Sequence, residues 1–300
     1  MSTPRNSGPV LVHLASGVGN LVLASPLLVA LNEMGLEVDV RLDADYPAAA
    51  SLFEGWCAVR AIGSQPLLPI TAYAWVLPAV PPFYWWKFAA AYRRVAQCVP
   101  RPPDSKFYED EQAYYLAFAR VLGYPAERRP APRLPVAPSE KFGVTARTLV
   151  LAPGSKTGEM TAKRWPHFPE LAARFDDVAI VGIADDLPRR PFPSHCRSFM
   201  DRLSLRETAE LMASAGVVLG NDCGLAHVAA ASGTQVVMLF GPTDPAVLGA
   251  LPDNVIILRH GLPCQPCWTR ARLRACAGRI DCLEQLEIDE VEQAVRQVLG

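Results

Sequence analysis

Residues 219–245 read LGNDCGLAHVAAASGTQVVMLFGPTDP, and this stretch decides the predicted fold. The apolar run at 216–220 ends in glycine, which is typical of a buried parallel strand followed by a turn. The alanine-rich run at 225–232 favours a helix that Gly233 ends, and residues 235–240 form a second apolar run. The order strand, polar turn, helix, strand predicts a βαβ unit whose polar turn lies at the carboxyl edge of the sheet.

The polar turn of this unit has the features of an anion-binding site. A helix start presents unpaired N–H groups and a partial positive charge, and Gly224 allows a ligand to approach the backbone closely. His227 lies one turn into the helix, where it can donate to a phosphate oxygen. Asp222 either caps the helix or accepts a hydrogen bond from a sugar hydroxyl. A capped helix with a satisfied core histidine fits the same residues, so the spacing alone leaves both interpretations open.

The segment 221–245 resembles the donor-site signature of glycosyltransferase family 9, the ADP-heptose:lipopolysaccharide heptosyltransferases. That pattern is roughly N-D-[ST]-G-x-x-H-x-A-A-A-x-G-x-P-x-x-x-x-F-G-x-T-x-P, and the chain departs from it at Cys223, for Ser or Thr, and at Gln235, for Pro. The resemblance implies an α/β protein of GT-B architecture, with two Rossmann-like domains facing across a cleft. It also implies donor contacts from a set of turn residues, namely Asp222, Cys223, Gly224, Leu225 and His227.

A second segment resembles the same family. Residues 148–152 predict a strand, and PGSKTGEMTAKRWP follows at 153–166, similar to the family block P-G-x-x-x-x-x-K-R-W-P but with a slightly longer loop. The resemblance implies that Lys163 meets the donor diphosphate and stabilises the charge that develops on the leaving group, helped by Ser155 and Lys156. Asp185 follows a further strand and is expected near the ribose of the donor. A solvated lysine–arginine pair and a solvated loop acid are the alternatives.

The first turn of the chain departs from the family where the chemistry needs a base. Residues 9–15 and 36–42 read as strands around a helix at 27–34, and the first turn contains Gly19 and Asn20. The family has an aspartate in the slot of Asn20 as general base, whereas an amide cannot take a proton at neutral pH. Gly19 and Asn20 are therefore predicted to bind the acceptor, and the role of Asn20 in catalysis stays open. Four residues are possible substitutes for the base: His13, Asp43, Asp45 and Asp110.

The chain is predicted to form two domains. Residues 124–138 are rich in proline and lack periodicity, which indicates an extended connector. We therefore expect an acceptor-binding domain at 1–138 and a donor-binding domain at 139–300, with the final amphipathic helix at 288–299 packing back on the first domain as one option.

Four cysteines near the end of the chain have partly metal-like spacing. They are Cys264, Cys267, Cys276 and Cys282, and the first two form a C-x2-C pair. The cluster predicts a structural zinc or iron site, with reduced thiols or one disulfide as alternatives. No cofactor is expected for catalysis.

Composition narrows the function classes. The chain has 300 residues, a net charge of −1 and 50% hydrophobic residues, which argues for a globular protein that does not bind nucleic acid. The first residues lack the order of a signal peptide and no uninterrupted apolar run is long enough to span a bilayer. We expect a cytoplasmic protein, with peripheral attachment to the inner membrane left open.

The predicted function is the inverting, metal-independent transfer of a heptose or related sugar from an ADP-sugar to a glycan or lipid-linked acceptor such as the lipopolysaccharide core. Asn20 motivates one alternative, a sugar-nucleotide or glycan-binding protein without catalysis. A transferase that modifies a protein or a small molecule is the other alternative. A Rossmann dehydrogenase is disfavoured, because G-x-G-x-x-G does not open the first helix.

Overall fold

The computed structural model describes residues 8–43, 47–82, 92, 94–95, 97–99, 106–107, 109–155, 163–186, 188, 190–267 and 280–300. The chain divides into two compact units, Met1–Pro135 with Ala246–Leu251, and Val136–Pro245 with Pro252–Gly300. The domain limits 1–138 and 139–300 stay a prediction. The segment Ala246–Leu251, expected in the second domain, belongs to the first unit, where the Gln112 side chain donates to the Ala250 carbonyl at 2.9 Å.

A parallel sheet forms the centre of the first unit. Its described strands are β1 (Val10–Ala15), β2 (Val38–Asp43), β3 (Ala61–Gly63) and β4 (Trp75–Leu77), in the spatial order β3-β2-β1-β4. Every residue of β1 is buried, as its apolar pattern, interrupted only by His13, predicts for a central parallel strand. The described helices of this unit are α1 (Val18–Leu23), α2 (Ser25–Glu33) and α3 (Glu111–Val121).

Helix α1 lies where the sequence analysis expected only a turn. Its residues Leu21, Val22 and Leu23 are buried, and Pro26 stands at the start of α2, where proline is tolerated. Burial of these side chains against the unit therefore outweighs the poor helix propensity of Gly19. As a consequence, Gly19 and Asn20 lie within a helix that directly follows β1.

The second unit is built on a larger parallel sheet. Its described strands are β5 (Leu149–Ala152), β6 (Val178–Ile180), β7 (Arg197–Ser198), β8 (Val217–Asn221), β9 (Val236–Leu239) and β10 (Val255–Leu258). Their order is β10-β9-β8-β5-β6-β7, and each described pairing is parallel. The described helices are α4 (Phe168–Ala172), α5 (Leu205–Ala213), α6 (Gly224–Ala231), α7 (Asp281–Glu284) and α8 (Ile288–Leu299).

Short 3₁₀ helices connect some of these elements. Their bounds are Pro47–Phe53, Ile70–Ala72, Glu140–Phe142, Ala184–Asp186 and Pro245–Leu248.

The final helix, α8, packs on the core of the second unit. Val291 and Val295 are fully buried and Ala294 nearly so, in a cluster that also contains residues of β5, β8 and β9. Its apolar stripe is covered by residues of its own unit's sheet. That this helix also packs back on the first domain stays a prediction.

Candidate functional site

The turn between β8 and α6 contains a helix start that receives no capping hydrogen bond from its N-cap side chain. Cys223 is the N-cap residue, with extended backbone angles (φ −148°, ψ 167°), and its side chain makes no capping hydrogen bond. Burial raises the pKa of the Cys223 thiol to about 11, so the group is neutral at pH 7. The first turn of α6 contains no acidic side chain. The amides and the partial positive charge of this eight-residue helix are thus not neutralised by an anion of the helix itself.

Asn221, which precedes the turn, joins two loops of the second unit. Its side chain is fully buried, and its Oδ1 accepts from the Trp165 backbone N–H at 2.9 Å. Its Nδ2 donates to the carbonyls of Pro153 and Gly154, at 2.7 and 3.3 Å. A buried amide satisfied in this way holds the loop after β5 and the turn after β8 in one arrangement.

Asp222 is the centre of a buried polar cluster. Its Oδ2 accepts from Lys163 Nζ and from Thr243 Oγ1, both at 2.8 Å, and its Oδ1 lies 3.2 Å from His227 Nε2. Asp222 and His227 are each only 5% exposed. Asp222 is therefore not the helix cap, one of the two roles that the sequence suggested, because its oxygens are directed at Lys163, Thr243 and His227.

The charge of Asp222 is stabilised by these partners. Burial on its own would raise the pKa of the carboxyl group, but the Lys163 ammonium and the hydrogen bond from His227 outweigh it, and the pKa lies well below its ordinary value. The cluster thus contains a permanent carboxylate that holds a lysine and an imidazole next to the open helix start. Both groups are suitable for binding a phosphate oxygen.

Arg164 stabilises the loops around this cluster. Its guanidinium donates to the Ser155 hydroxyl at 3.1 Å, to the Ser155 carbonyl at 3.0 Å and to the Asp185 carbonyl at 2.6 Å. Ser155 is nearly buried, whereas Asp185 is exposed. Arg164 therefore fixes the backbone of two loops that the sequence assigned to the donor. Lys156 lies outside the described residues.

In the first unit, Asn20 is the middle of a chain of three side chains. Ser16, directly after β1, donates from Oγ to Asn20 Oδ1 at 2.9 Å, and Asn20 Nδ2 donates to Glu111 Oε1 at 2.5 Å. Ser16 has a φ of 101°, which is rare for a residue other than glycine. Such strained backbone is common at functional sites. No local sequence signal identifies Glu111, because its contact with Asn20 spans 91 residues.

The substitute bases named from the sequence have other partners. His13 is fully buried, its Nδ1 lies 2.8 Å from the Tyr92 hydroxyl, and burial and Arg41 lower its pKa to about 3. The Asp110 side chain caps α3 by accepting from the Ala113 N–H at 2.8 Å, and its other oxygen accepts from Arg129 at 2.9 Å.

Two acids complete this set of substitutes. The Asp43 side chain is 47% exposed, with one oxygen 4.0 Å from His13 Nε2. Asp45 lies outside the described residues.

The cysteine cluster is only partly described. Cys264 is exposed, Cys267 and Cys282 are buried, and Cys276 lies outside the described residues. Within the part of the chain that the structure describes, no three potential ligands come together as a metal site. In the same part, no helix combines the length and the apolar character needed to cross a bilayer.

Comparison with known proteins places these features in a family context. The model of glycosyltransferase family 9 (heptosyltransferase) matches residues 112–277. The chain is 35% identical over 122 residues to lipooligosaccharide heptosyltransferase 2 of Haemophilus influenzae. That match covers 36% of this chain and 35% of the relative, so the chain spans about a third of that relative's length.

Solved structures share the fold over nearly the whole chain. The ADP-heptose lipopolysaccharide heptosyltransferase II of E. coli has a TM-score of 0.71 at 20% identity, covering 97% of this chain and 98% of the other. The family 9 glycosyltransferase of Veillonella parvula has a TM-score of 0.73 at 15% identity, covering 98% of both chains. The predicted fold class, an α/β protein of GT-B type with two Rossmann-like domains, is confirmed.

Proposed function

The chain belongs to glycosyltransferase family 9, and from this premise we propose that it transfers a heptose or related sugar from an ADP-sugar to an acceptor hydroxyl. The acceptor proposed is the lipopolysaccharide core or another glycan, and the transfer inverts the anomeric centre without a catalytic metal. One observation carries the proposal: Lys163 and His227 are both held on the buried Asp222, beside the uncapped start of α6.

This arrangement suits a leaving group that gains negative charge. When the bond between the sugar and the diphosphate breaks, charge accumulates on the diphosphate oxygens. Lys163, at 15% side-chain exposure, supplies a compact cation there, and the amides of Gly224 and Leu225 with the α6 dipole supply further donors. Because Asp222 already orients Lys163, little side-chain entropy is lost when the donor binds. Lys163 is thus proposed as the catalytic residue that stabilises the leaving group.

The imidazole of His227 is constrained by the same carboxylate. With Nε2–H directed at Asp222, the ring has Nδ1 left for other contacts. His227 is therefore proposed to contact the donor, and the pairing with Asp222 fixes the orientation of the ring. Ser155 and Asp185, whose backbone carbonyls bind Arg164, are proposed to line the donor site, together with Lys156.

The relatives support the choice of donor. The E. coli structure with the same fold is named for ADP-heptose and lipopolysaccharide, and the Haemophilus relative is named for lipooligosaccharide. A lipid-linked glycan acceptor would place the protein at the cytoplasmic face of the inner membrane, and this peripheral location is part of the proposal. We also propose that Cys264, Cys267, Cys276 and Cys282 bind a structural zinc or iron ion that stabilises their loop and takes no part in transfer.

The second candidate function is binding of a sugar nucleotide without catalysis. Asn20, in the slot of the family's aspartate, favours it, because an amide cannot accept the acceptor's proton. Transfer to a protein or small molecule is a variant of the first candidate. Release of ADP from ADP-heptose separates the two classes, because a binding protein would hold the donor intact.

Calorimetric titration with ADP-, UDP- and GDP-sugars tests the donor site. We expect ADP-heptose to bind best, and Lys163→Ala and His227→Ala to weaken binding. Loss of a charge-assisted hydrogen bond costs about 1.5–3 kcal/mol, which corresponds to roughly a 10- to 100-fold increase in Kd. Lys141→Ala is the matched control, because Lys141 lies in the same unit, is half-exposed and pairs with Glu207 at 3.1 Å. Preference for a UDP- or GDP-sugar, or equal effects of all three variants, would contradict the proposal.

A further inference from the structure

Resting on the proposed transferase function, we propose that Glu111 is the general base for the acceptor hydroxyl and that Asn20 is a positioning residue. The family's aspartate is replaced by Asn20, yet the structure places a carboxylate oxygen 2.5 Å from the Asn20 amide nitrogen. We therefore assign the role of the missing aspartate to Glu111, which lies on another helix and is hydrogen-bonded to Asn20.

The surroundings of Asn20 orient its amide toward Glu111. The Ser16 hydroxyl donates to Asn20 Oδ1, so the NH₂ group of the amide is the one directed at Glu111 Oε1. The strained φ of Ser16, 101°, puts this hydroxyl beside the first turn of α1. Backbone strain and a fixed amide orientation are both costs that a simple link between helices does not require.

Glu111 lies at a helix start, and its contacts hold the carboxylate in place. It is the first residue of α3, where the helix dipole favours negative charge, and it is only 5% exposed. The Tyr115 hydroxyl also hydrogen-bonds this carboxylate, and the pKa of Tyr115 is raised well above its ordinary value, first by burial and then by the charge of Glu111. Tyr115 therefore stays protonated and donates. Asn20 is half-buried, so a hydroxyl seated against its side chain would meet this carboxylate.

The remaining acids are less suited to this role. Asp110 caps α3 and pairs with Arg129. Asp43, at the end of β2, is the alternative candidate for the base, because it is paired in register with Ala15 just before the strained turn.

In the proposed step the acceptor oxygen bonds to the anomeric carbon while its proton moves to a Glu111 oxygen. The bond from the anomeric carbon to the diphosphate breaks, its electron pair leaves on ADP, and Glu111 later returns the proton to water.

The test exchanges the two side chains. ADP release from ADP-heptose is followed against pH, with heptose-deficient lipopolysaccharide as acceptor and with water alone, since water needs the same deprotonation. We expect Glu111→Gln, which can still accept from Asn20, to lower kcat by about 10²- to 10⁴-fold and to remove the loss of activity at acid pH. The double variant Asn20→Asp with Glu111→Gln moves the carboxylate to position 20. It should recover most of the lost kcat and restore the fall of activity at acid pH, the acid limb of the pH profile.

Each outcome decides between specific interpretations. A kcat for Glu111→Gln equal to that of the unmodified protein would show that Glu111 only links the two helices and would overturn the proposal. The same conclusion holds if Asp43→Asn, and not Glu111→Gln, removes the acid limb, or if the double variant stays inactive while folded. Binding of ADP-heptose without any ADP release would reject the role of Glu111 as a base, and the protein would then be one that binds the donor without transferring the sugar. Failure to bind ADP-heptose at all would instead reject the transferase function itself.

Discussion

Asp222→Asn is the substitution that most directly tests the buried cluster. The side chains of Asp222 and Lys163 are 7% and 15% exposed, so water screens their interaction poorly. Removing one partner of a buried pair costs about 3–5 kcal/mol, because the other charge stays buried without compensation. Asparagine keeps an oxygen for Lys163 or Thr243, so we expect a loss near the lower end, about 3 kcal/mol of unfolding free energy.

The expected loss of unfolding free energy corresponds to a decrease in the melting temperature, Tm. Each kcal/mol shifts the Tm of a domain of 150–250 residues by about 2–4 °C, so Asp222→Asn should lower the Tm by about 6–12 °C. Calorimetry of the second unit's transition measures this shift. Asp253→Asn is the matched control, because Asp253 is exposed in the same unit and its loss should cost less than about 0.5 kcal/mol.

The pH dependence of this shift has a definite sign. The folded protein lowers the pKa of Asp222 below its ordinary value of 3.8, so the stabilisation is fully present above that value and is lost as the pH falls through the folded pKa. The difference in Tm between the unmodified protein and Asp222→Asn should therefore persist from pH 8 to pH 5 and shrink below about pH 4. A shift below 2 °C at pH 7, or a shift equal to that of Asp253→Asn, would refute the reasoning. So would a double variant with Lys163→Met whose cost is the sum of the two single costs.

Two further predictions concern other parts of the chain. Gly249→Ala should lower the Tm by several degrees, because φ is 87° and the new Cβ would lie 2.7 Å from Asp110 Oδ1. The control Gly261→Ala, at φ 79° with open space around it, should show only the cost of the backbone angle. Elemental analysis of the purified protein should find close to one zinc or iron per chain, reduced to background by Cys264→Ser together with Cys267→Ser; a metal-free protein of equal Tm would reject the structural metal site.

Local patterns in the sequence predicted much of the fold. The strands β1, β5, β8 and β9 were found within one or two residues, because buried parallel strands are short unbroken apolar runs. The final helix matches the predicted range, Ile288–Leu299. The capping box of α5 is another local pattern, because Ser204 and Glu207 are three residues apart, and Glu207 accepts from the Ser204 N–H at 2.9 Å.

Other local features could not be predicted this way. Helix α1 was not predicted, because glycine and asparagine oppose a helix and burial of Leu21, Val22 and Leu23 stabilises one there. No local pattern indicates that Ala246–Leu251 belongs to the first unit, because its contact with Gln112 is 138 residues distant in the chain.

The candidate site shows where sequence determined the chemistry and where tertiary structure decided it. The sequence by itself determined that residues 221–227 form a glycine-containing helix start after a strand, because those signals are local. Only the tertiary structure decided that Asp222 binds Lys163, from the loop after β5, and Thr243, from the loop after β9. The pair of Asn20 and Glu111 was decided in the same way. Loops at the carboxyl edge of a parallel sheet converge through strand order, and strand order is set by long-range packing that no spacing along the chain encodes.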